Sequence, residues 1–86
     1  MIILAQSAIE DLKNIEIHLP EPSLKKIMDK IFSSMEAIEI HPLLGKKGRV
    51  GNTRELYISS TNYILIYKIE DTNIEILNIL HTSRNY

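Results

Sequence analysis

The stretches 63–69 (YILIYKI) and 74–81 (IEILNILH) decide the fold of this 86-residue chain. Both are rich in the β-branched and aromatic residues that strands favour, and a third such run, RELYI, occupies 54–58. The breaks at 59–62 and 71–73 are polar and short enough for hairpins. Together the three runs predict an antiparallel three-stranded meander in the second half of the chain.

The first half predicts two helices after a short apolar opening at 2–4. Ser7 and Glu10 have the spacing of a capping box, which favours a helix start at that point. Apolar residues then recur at helical spacing, first as Ile9, Leu12, Ile15 and Leu19, and then as Leu24, Ile27, Met28, Ile31, Met35 and Ile38. Pro20 and Pro22 separate the two series, so we expect an antiparallel helical hairpin.

A glycine-rich segment at 44–52 (LGKKGRVGN) joins the helices to the meander and is predicted to be a loop. It carries Lys46, Lys47 and Arg49, and Arg54 follows closely, with no acidic residue among these cations. Flexible cations beside a strand bind phosphates well, which makes Lys46, Lys47 and Arg49 candidate nucleic-acid contacts. A solvated loop without a ligand is the alternative interpretation.

The middle run of the meander is apolar on both of its faces, unlike a strand that is wet on one side. Tyr63 and Leu65 alternate with Ile64 and Ile66, so a hairpin that covers one face leaves aliphatic side chains on the other. Two interpretations stay open. The second face is an exposed partner surface, or the apolar opening and the glycine-rich loop cover it.

Length and composition predict one small globular domain spanning 1–86. Hydrophobic residues make up 44% and charged residues 24% of the chain, which excludes a disordered or low-complexity protein. The chain lacks cysteine, a secretory signal and an apolar run of the roughly 20 residues that span a membrane, so we expect a cytoplasmic protein without membrane association. Its three histidines lie on different predicted elements, and its glycines match no phosphate or dinucleotide loop, so we expect neither a metal nor a cofactor.

Three functional groups follow one another at the C-terminal end. His81, Arg84 and Tyr86 provide an imidazole, a guanidinium and a phenol just past the last predicted strand. These groups are able to move protons, stabilise phosphoryl charge and stack on a base. A frayed tail is the alternative.

The order of a strand, a helical hairpin and a three-stranded meander resembles the RelE/ParE toxin superfamily of bacterial type II toxin–antitoxin modules. The resemblance is carried by SAIEDL at 7–12, HPLLG at 41–45, GRVGNTREL at 48–56, YILIYKI at 63–69 and IEILNILHTSR at 74–84. It implies an α+β fold in which an N-terminal strand and a helical hairpin pack on an antiparallel sheet with a C-terminal three-stranded meander. It also implies a plasmid-stabilisation toxin that a cognate antitoxin neutralises, and whose assembly is a homodimer or a toxin–antitoxin hetero-oligomer.

The superfamily divides by target, and the resemblance implies different residue roles in each branch. RelE-like members cut mRNA on the ribosome without a metal, which makes Arg54 and Arg84 phosphate clamps, His81 a general acid or base, and Tyr86 a base stacker. RelE-type nucleases commonly carry an arginine where this chain has Ile64, which counts against cleavage. ParE-like members share the fold but poison DNA gyrase. An mRNA endonuclease is the first hypothesis, a gyrase inhibitor the second, and an inactive relic that only binds an antitoxin the third.

Overall fold

The structure is a computed structural model that describes residues 1–83. Its elements, in chain order, are β1 (Ile2–Leu4), α1 (Gln6–His18), α2 (Glu21–Ile40), β2 (Lys46–Lys47), β3 (Arg54–Tyr57), β4 (Tyr63–Glu70) and β5 (Asn73–His81). The strands form one sheet in the order β1-β5-β4-β3-β2. All neighbours are antiparallel except β1 and β5, which run parallel and make the sheet mixed. The predicted α+β fold, with its helical hairpin and C-terminal meander, is confirmed.

The prediction of an irregular loop at 44–52 is wrong in part, because Lys46 and Lys47 form the edge strand β2. They pair with Glu55 and Arg54 respectively. Backbone pairing continues past the strand, where the Gly48 N–H donates to the Thr53 carbonyl at 2.8 Å. The basic segment is therefore part of the sheet, and its two lysines point to opposite faces.

The hydrophobic core lies between the helical hairpin and one face of the sheet, which we call the helical face. The buried members of this core are Ala8, Ile15, Ile31, Met35, Ile38, Ile58, Leu65, Tyr67, Ile74, Ile76 and Ile79. Helices and sheet contribute about equally, as expected for a two-layer domain. No helix in residues 1–83 is long and apolar enough to cross a membrane.

The predicted capping box at the start of α1 is wrong. Ala5 occupies the N-cap position without a side-chain hydrogen bond. Ser7 instead lies inside the helix, and its hydroxyl donates to the Leu77 carbonyl of β5 at 2.5 Å. The second helix begins at Glu21, so Pro22 lies in its first turn, a position to which proline is well suited.

A β-bulge in β5 sets which of its side chains reach the core. Ile66 pairs with Asn78 and the next residue, Tyr67, pairs with Ile76, so Leu77 is an extra residue on β5. Because of this insertion, Ile76 and Ile79 are both buried against the helices although three positions separate them. Simple alternation along 74–81 would have placed them on opposite faces.

Helix α1 covers the part of β5 that extends beyond the short strand β1. The Asp11 carboxylate accepts hydrogen bonds from the Ile79 N–H at 2.9 Å and from the Asn78 side-chain amide at 3.0 Å. These contacts satisfy backbone groups that β1, which ends at Leu4, does not reach. The first helix is thus hydrogen-bonded to the sheet as well as packed on it.

We call the side of the sheet turned away from the helices the far face. It carries Glu55, Tyr57, Ile64, Ile66 and Lys68, which follow from the strand register. Ile64 is only 6% exposed and Ile66 only 3% exposed, so the chain itself covers both residues. The interpretation in which they form an exposed partner surface is therefore wrong. Residues 2–4 do not provide this cover, because they form β1 at the sheet edge.

Candidate functional site

The predicted nucleic-acid contacts lie at the edge formed by β2 and at the turn that follows it. Lys46 is on the far face, where its ammonium nitrogen lies 5.3 Å from the centre of the Tyr57 ring. This is the range of a cation–π contact. Tyr57 is 53% exposed, so this lysine and this ring form an accessible basic and aromatic pair. Sequence reasoning did not select Tyr57, because only the register of β3 places it beside Lys46.

Arg49 is held by a carboxylate that sequence reasoning also did not select. The Glu55 Oε2 atom accepts the Arg49 backbone N–H at 3.0 Å and lies 3.5 Å from the Arg49 Nε. Glu55 is only 3% exposed, and its negative charge is compensated by this arginine. The run of cations without an acid therefore acquires one through folding, and the local positive charge is smaller than the sequence indicates.

Arg54, a predicted phosphate clamp, lies on the helical face at the beginning of β3. Its guanidinium donates to the Gly45 carbonyl through Nη1 at 2.6 Å. The register places Arg54 opposite Tyr67, whose ring is completely buried. The arginine therefore supports the connection between α2 and β2.

His81, the predicted general acid or base, lies at the end of β5 on the same helical face. Its Nδ1 accepts the Ser83 backbone N–H at 3.2 Å and lies 2.8 Å from the Ser83 hydroxyl, so the neutral ring carries its proton on Nε2. The imidazole meets the Tyr63 ring edge-on, with centroids 5.3 Å apart and planes at 83°. A shallow cavity beside it is also lined by Asp11 and His18.

The structure does not bring Arg54 and His81 together. Arg54 is opposite Tyr67 and His81 is opposite Tyr63, so four residues of β4 separate their levels. That is about 13 Å along the strand, with two strand spacings, about 9 Å, across the sheet. One phosphate group cannot contact both side chains. The other two predicted catalytic residues, Arg84 and Tyr86, lie outside the described residues.

Ile64, where a RelE-type nuclease is expected to carry arginine, lies on the far face directly opposite Tyr57. It therefore belongs with the Lys46 and Tyr57 pair and not with Arg54 or His81. Lys68 is on this face as well, but it forms ion pairs with Glu70 at 3.4 Å and Glu75 at 3.5 Å. These two carboxylates raise the pKa of Lys68, Glu70 contributing more. The far face thus combines an aliphatic centre with charges that are largely paired.

Within residues 1–83, no group of three or more histidine and acidic side chains is arranged to hold a metal ion. What the described residues do form is a basic and aromatic pair on the far face and a separate histidine on the helical face. A helical hairpin on such a five-stranded mixed sheet is the α+β architecture that the resemblance to the RelE/ParE toxins implies.

Comparison with known proteins agrees with this class. The family model for the ParE toxin of the type II toxin–antitoxin system parDE matches residues 2–86. The chain therefore belongs to the ParE toxin family, within the RelE/ParE superfamily. It is also 30% identical over 61 residues to a Sinorhizobium fredii protein named "Putative toxin Y4kP", a match that covers 71% of this chain. The chain spans only 62% of the length of that relative.

Solved structures share the fold over nearly the whole chain. A chain of the chromosomal ParDE system from Pseudomonas aeruginosa superposes with a TM-score of 0.79 at 16% identity, covering 93% of this chain and 92% of the other. A chain of the RelBE2 toxin–antitoxin complex from Mycobacterium tuberculosis gives 0.67 at 27% identity, covering 94% and 95%. The Staphylococcus aureus YoeB dimer gives 0.70 at 21% identity, covering 99% and 95%.

Proposed function

We propose that this type II toxin arrests growth by binding DNA gyrase, without bond-breaking chemistry of its own, and that a cognate antitoxin neutralises it. The observation that carries the proposal is the aliphatic centre of the far face. Ile64 occupies the position of the nuclease arginine, and only 6% of it is exposed. An aliphatic side chain supplies no hydrogen-bond donor, and its burial keeps it from contacting a phosphate, so this position cannot help to stabilise a phosphorane-like transition state.

The placement of the remaining candidates supports the same proposal. Arg54 is engaged with the Gly45 carbonyl on the helical face, and His81 lies at the opposite end of the sheet. Catalysis of strand cleavage requires the acid or base and the phosphate clamp to converge on one reacting group. Binding to a protein target requires no such convergence.

Membership of the ParE toxin family supports the choice of target through the resemblance, which assigns gyrase to ParE-like members. The antitoxin partner is supported by relatives whose structures are toxin–antitoxin complexes, among them RelBE2 and the YoeB–YefM heterotetramer. The role in plasmid stabilisation that the resemblance implies and the cytoplasmic site of action expected from the sequence are parts of the same proposal. The homodimer expected from the sequence has a parallel in the YoeB dimer and stays a prediction.

Ribosome-dependent mRNA cleavage is the second candidate, and one observation favours it. Lys46 and Tyr57 are adjacent and exposed on the far face, and a cation beside an aromatic ring is a common arrangement for binding single-stranded nucleic acid. In this alternative the pair grips mRNA, and the reaction relies on residues that include Arg84 and Tyr86. An inactive, antitoxin-binding relic is the third candidate from the sequence.

The test is the order in which macromolecular synthesis stops after induction in a bacterial host. Labelled thymidine and labelled methionine are followed over the first minutes, and gyrase–DNA adducts are isolated. We expect DNA synthesis to fall first, adducts to accumulate and co-expressed antitoxin to prevent both. An earlier fall in protein synthesis with cleaved mRNA would select the endonuclease, and undisturbed growth would select the relic. A host whose gyrase resists ParE-like toxins is the matched control.

A further inference from the structure

The strand β1 lies at one edge of the sheet, and β5 is its only neighbouring strand among residues 1–83. The Ala5 N–H donates to the Ile76 carbonyl of β5 at 2.9 Å. Because backbone groups alternate along a strand, the N–H and C=O of Ile2 and Leu4 point the other way, toward the open edge. This edge therefore offers hydrogen-bond donors and acceptors to an incoming chain.

An apolar groove runs beside this edge, between β1 and α2. Ile2 and Leu4 form its sheet side, and Phe32 and Met35 form its helical side. Phe32 is 47% exposed, so the groove presents a large aromatic ring to solvent. Aromatic side chains of this kind often dominate the affinity of a protein interface. The groove is therefore suited to bind apolar side chains of a partner.

The charge around the groove selects the sign of that partner. Glu36 and Glu39 border it from exposed positions one turn apart on α2, and none of the residues that line it is basic. The N-terminal ammonium lies 3.6 Å from the Glu39 carboxylate, but both groups are exposed, so this pairing is weak. The opposite edge of the sheet carries the exposed Lys46 and Lys47. A basic segment is therefore attracted to the β1 edge and repelled from the β2 edge.

The proposed target, DNA gyrase, has the charge that this groove requires. A protein that holds duplex DNA carries basic surfaces, because it neutralises phosphates with lysine and arginine. The acidic edge at β1 approaches such a surface favourably, whereas the basic edge at β2 does not. A second toxin is disfavoured as the occupant, since a symmetric pair that met through this groove would bring the glutamates of both copies together.

We infer that the groove between β1 and α2 binds a basic and apolar segment from the DNA-binding region of gyrase. This inference rests on the proposed function. The apolar side chains of the segment contact Phe32, Ile2 and Leu4, and its backbone hydrogen-bonds to the open edge. Its lysines and arginines lie near Glu36 and Glu39. A toxin bound there lies beside the DNA that gyrase holds, which fits the adducts expected from the proposed function.

Photocrosslinking to intact gyrase tests where the toxin makes contact. The full-length toxin carries p-benzoylphenylalanine in place of Phe32 and is mixed with the gyrase heterotetramer. The matched control has the same amino acid in place of Ile17, which is 74% exposed on α1, outside the groove. We expect light to join the position of Phe32 to a gyrase peptide with an excess of lysine and arginine, identified by mass spectrometry, and to do so more strongly than the control.

The other outcomes separate this inference from the proposed function. A toxin that binds gyrase but links only from the position of Ile17, or links from that of Phe32 to an acidic peptide, overturns the inference and leaves the proposed function intact. Links from the position of Phe32 to a second toxin instead of gyrase overturn the inference as well. An unmodified toxin that does not bind gyrase overturns both.

Charge reversal provides an independent measurement with the same two proteins. We expect Glu36→Lys with Glu39→Lys to weaken gyrase binding about tenfold at low salt, and less at higher salt. Glu10→Lys with Glu16→Lys makes the same change in net charge at exposed positions of α1, outside the groove, and we expect it to alter binding less than about twofold. Thermal unfolding verifies that both variants are folded. Equal binding changes in the two variants would contradict the inference.

Discussion

The Gly45 backbone N–H donates a hydrogen bond to the hydroxyl of Tyr67 at 2.9 Å, which ties the segment after α2 to the central strand of the sheet. The same hydroxyl donates to the Pro42 carbonyl at 2.7 Å, and Arg54 holds the Gly45 carbonyl from the neighbouring strand. One buried phenol therefore determines where the chain leaves the helix and how it enters β2. The position of Lys46 on the far face depends on this arrangement.

We expect Tyr67→Phe to lower the free energy of unfolding by about 1–3 kcal/mol, because it removes two hydrogen bonds and leaves a buried N–H without its partner. Urea unfolding followed by circular dichroism measures the change. Tyr57→Phe is the matched control, since this tyrosine is half-exposed, and we expect a change below about 0.5 kcal/mol. Equal losses in the two variants would contradict the role assigned to the Tyr67 hydroxyl.

A side chain at position 45 is expected to destabilise the fold. A Cβ atom at this position would lie 2.7 Å from the Tyr67 hydroxyl oxygen and 2.9 Å from its Cε1. Since that ring is buried and cannot move aside freely, we expect Gly45→Ala to cost about 1–3 kcal/mol of stability. Thermal unfolding monitored by calorimetry checks this value.

Gly51→Ala is the control for that substitution, because nothing lies within 4 Å of the corresponding Cβ position. We expect its effect to stay within about 0.5 kcal/mol. Similar melting temperatures for the two alanine variants would rule out the close approach of Gly45 to Tyr67.

Asp11 is expected to protect the edge of β5. Asp11→Ala removes the acceptor of the Ile79 N–H and of the Asn78 amide, so we expect a loss of about 1–3 kcal/mol. Amide hydrogen exchange of Ile79 should accelerate more than that of Leu65 in the core. Glu16→Ala, at an exposed position of the same helix, serves as control. Unchanged exchange at Ile79 in the Asp11 variant would disprove that the Asp11 carboxylate protects this edge.

The pair of Arg49 and Glu55 is expected to be energetically coupled. Arg49→Gln removes the guanidinium from a carboxylate that is almost completely buried, and we expect a cost of about 1–3 kcal/mol. A double-mutant cycle with Glu55→Gln isolates the interaction between the two side chains from their other contacts. We expect the double variant to be less destabilised than the sum of the single variants, and simple additivity would show that the pair is not coupled.

The raised pKa of Lys68 predicts that the stability of the fold depends on pH in the alkaline range. Glu70 and Glu75 raise its pKa above the ordinary value of 10.5, so the folded state holds this proton more tightly than the unfolded state. The resulting stabilisation is complete below pH 10.5 and is lost as the pH rises through the higher pKa of the folded protein. We expect the stability difference between wild type and Lys68→Gln to shrink between about pH 10.5 and pH 12.

Lys13→Gln is the control for this measurement, because Lys13 is exposed on α1. Chemical denaturation at a series of pH values gives the two difference curves. A constant difference for Lys68→Gln across this range would contradict the raised pKa.

The sequence by itself determined the helical hairpin and the meander, because apolar residues recur with the period of a helix before the glycine-rich segment and with that of strands after it. It also carried the family resemblance, which the match of the ParE toxin family model to residues 2–86 confirmed. These properties are local, or depend only on the order of elements along the chain. Alternation was enough to place Tyr63 and Leu65 on one face and Ile64 and Ile66 on the other.

Tertiary structure decided which residues meet. The bulge at Leu77 arises from pairing with β4, and the strand at Lys46 and Lys47 arises from pairing with β3. The same pairing brought Glu55 to Arg49 and turned Arg54 toward Gly45. The sequence around a basic residue near a strand is the same whether its side chain faces solvent or a carbonyl. Only the register of the neighbouring strands distinguishes the two cases. For that reason the sequence identified the family, whereas the structure separated Arg54 from His81.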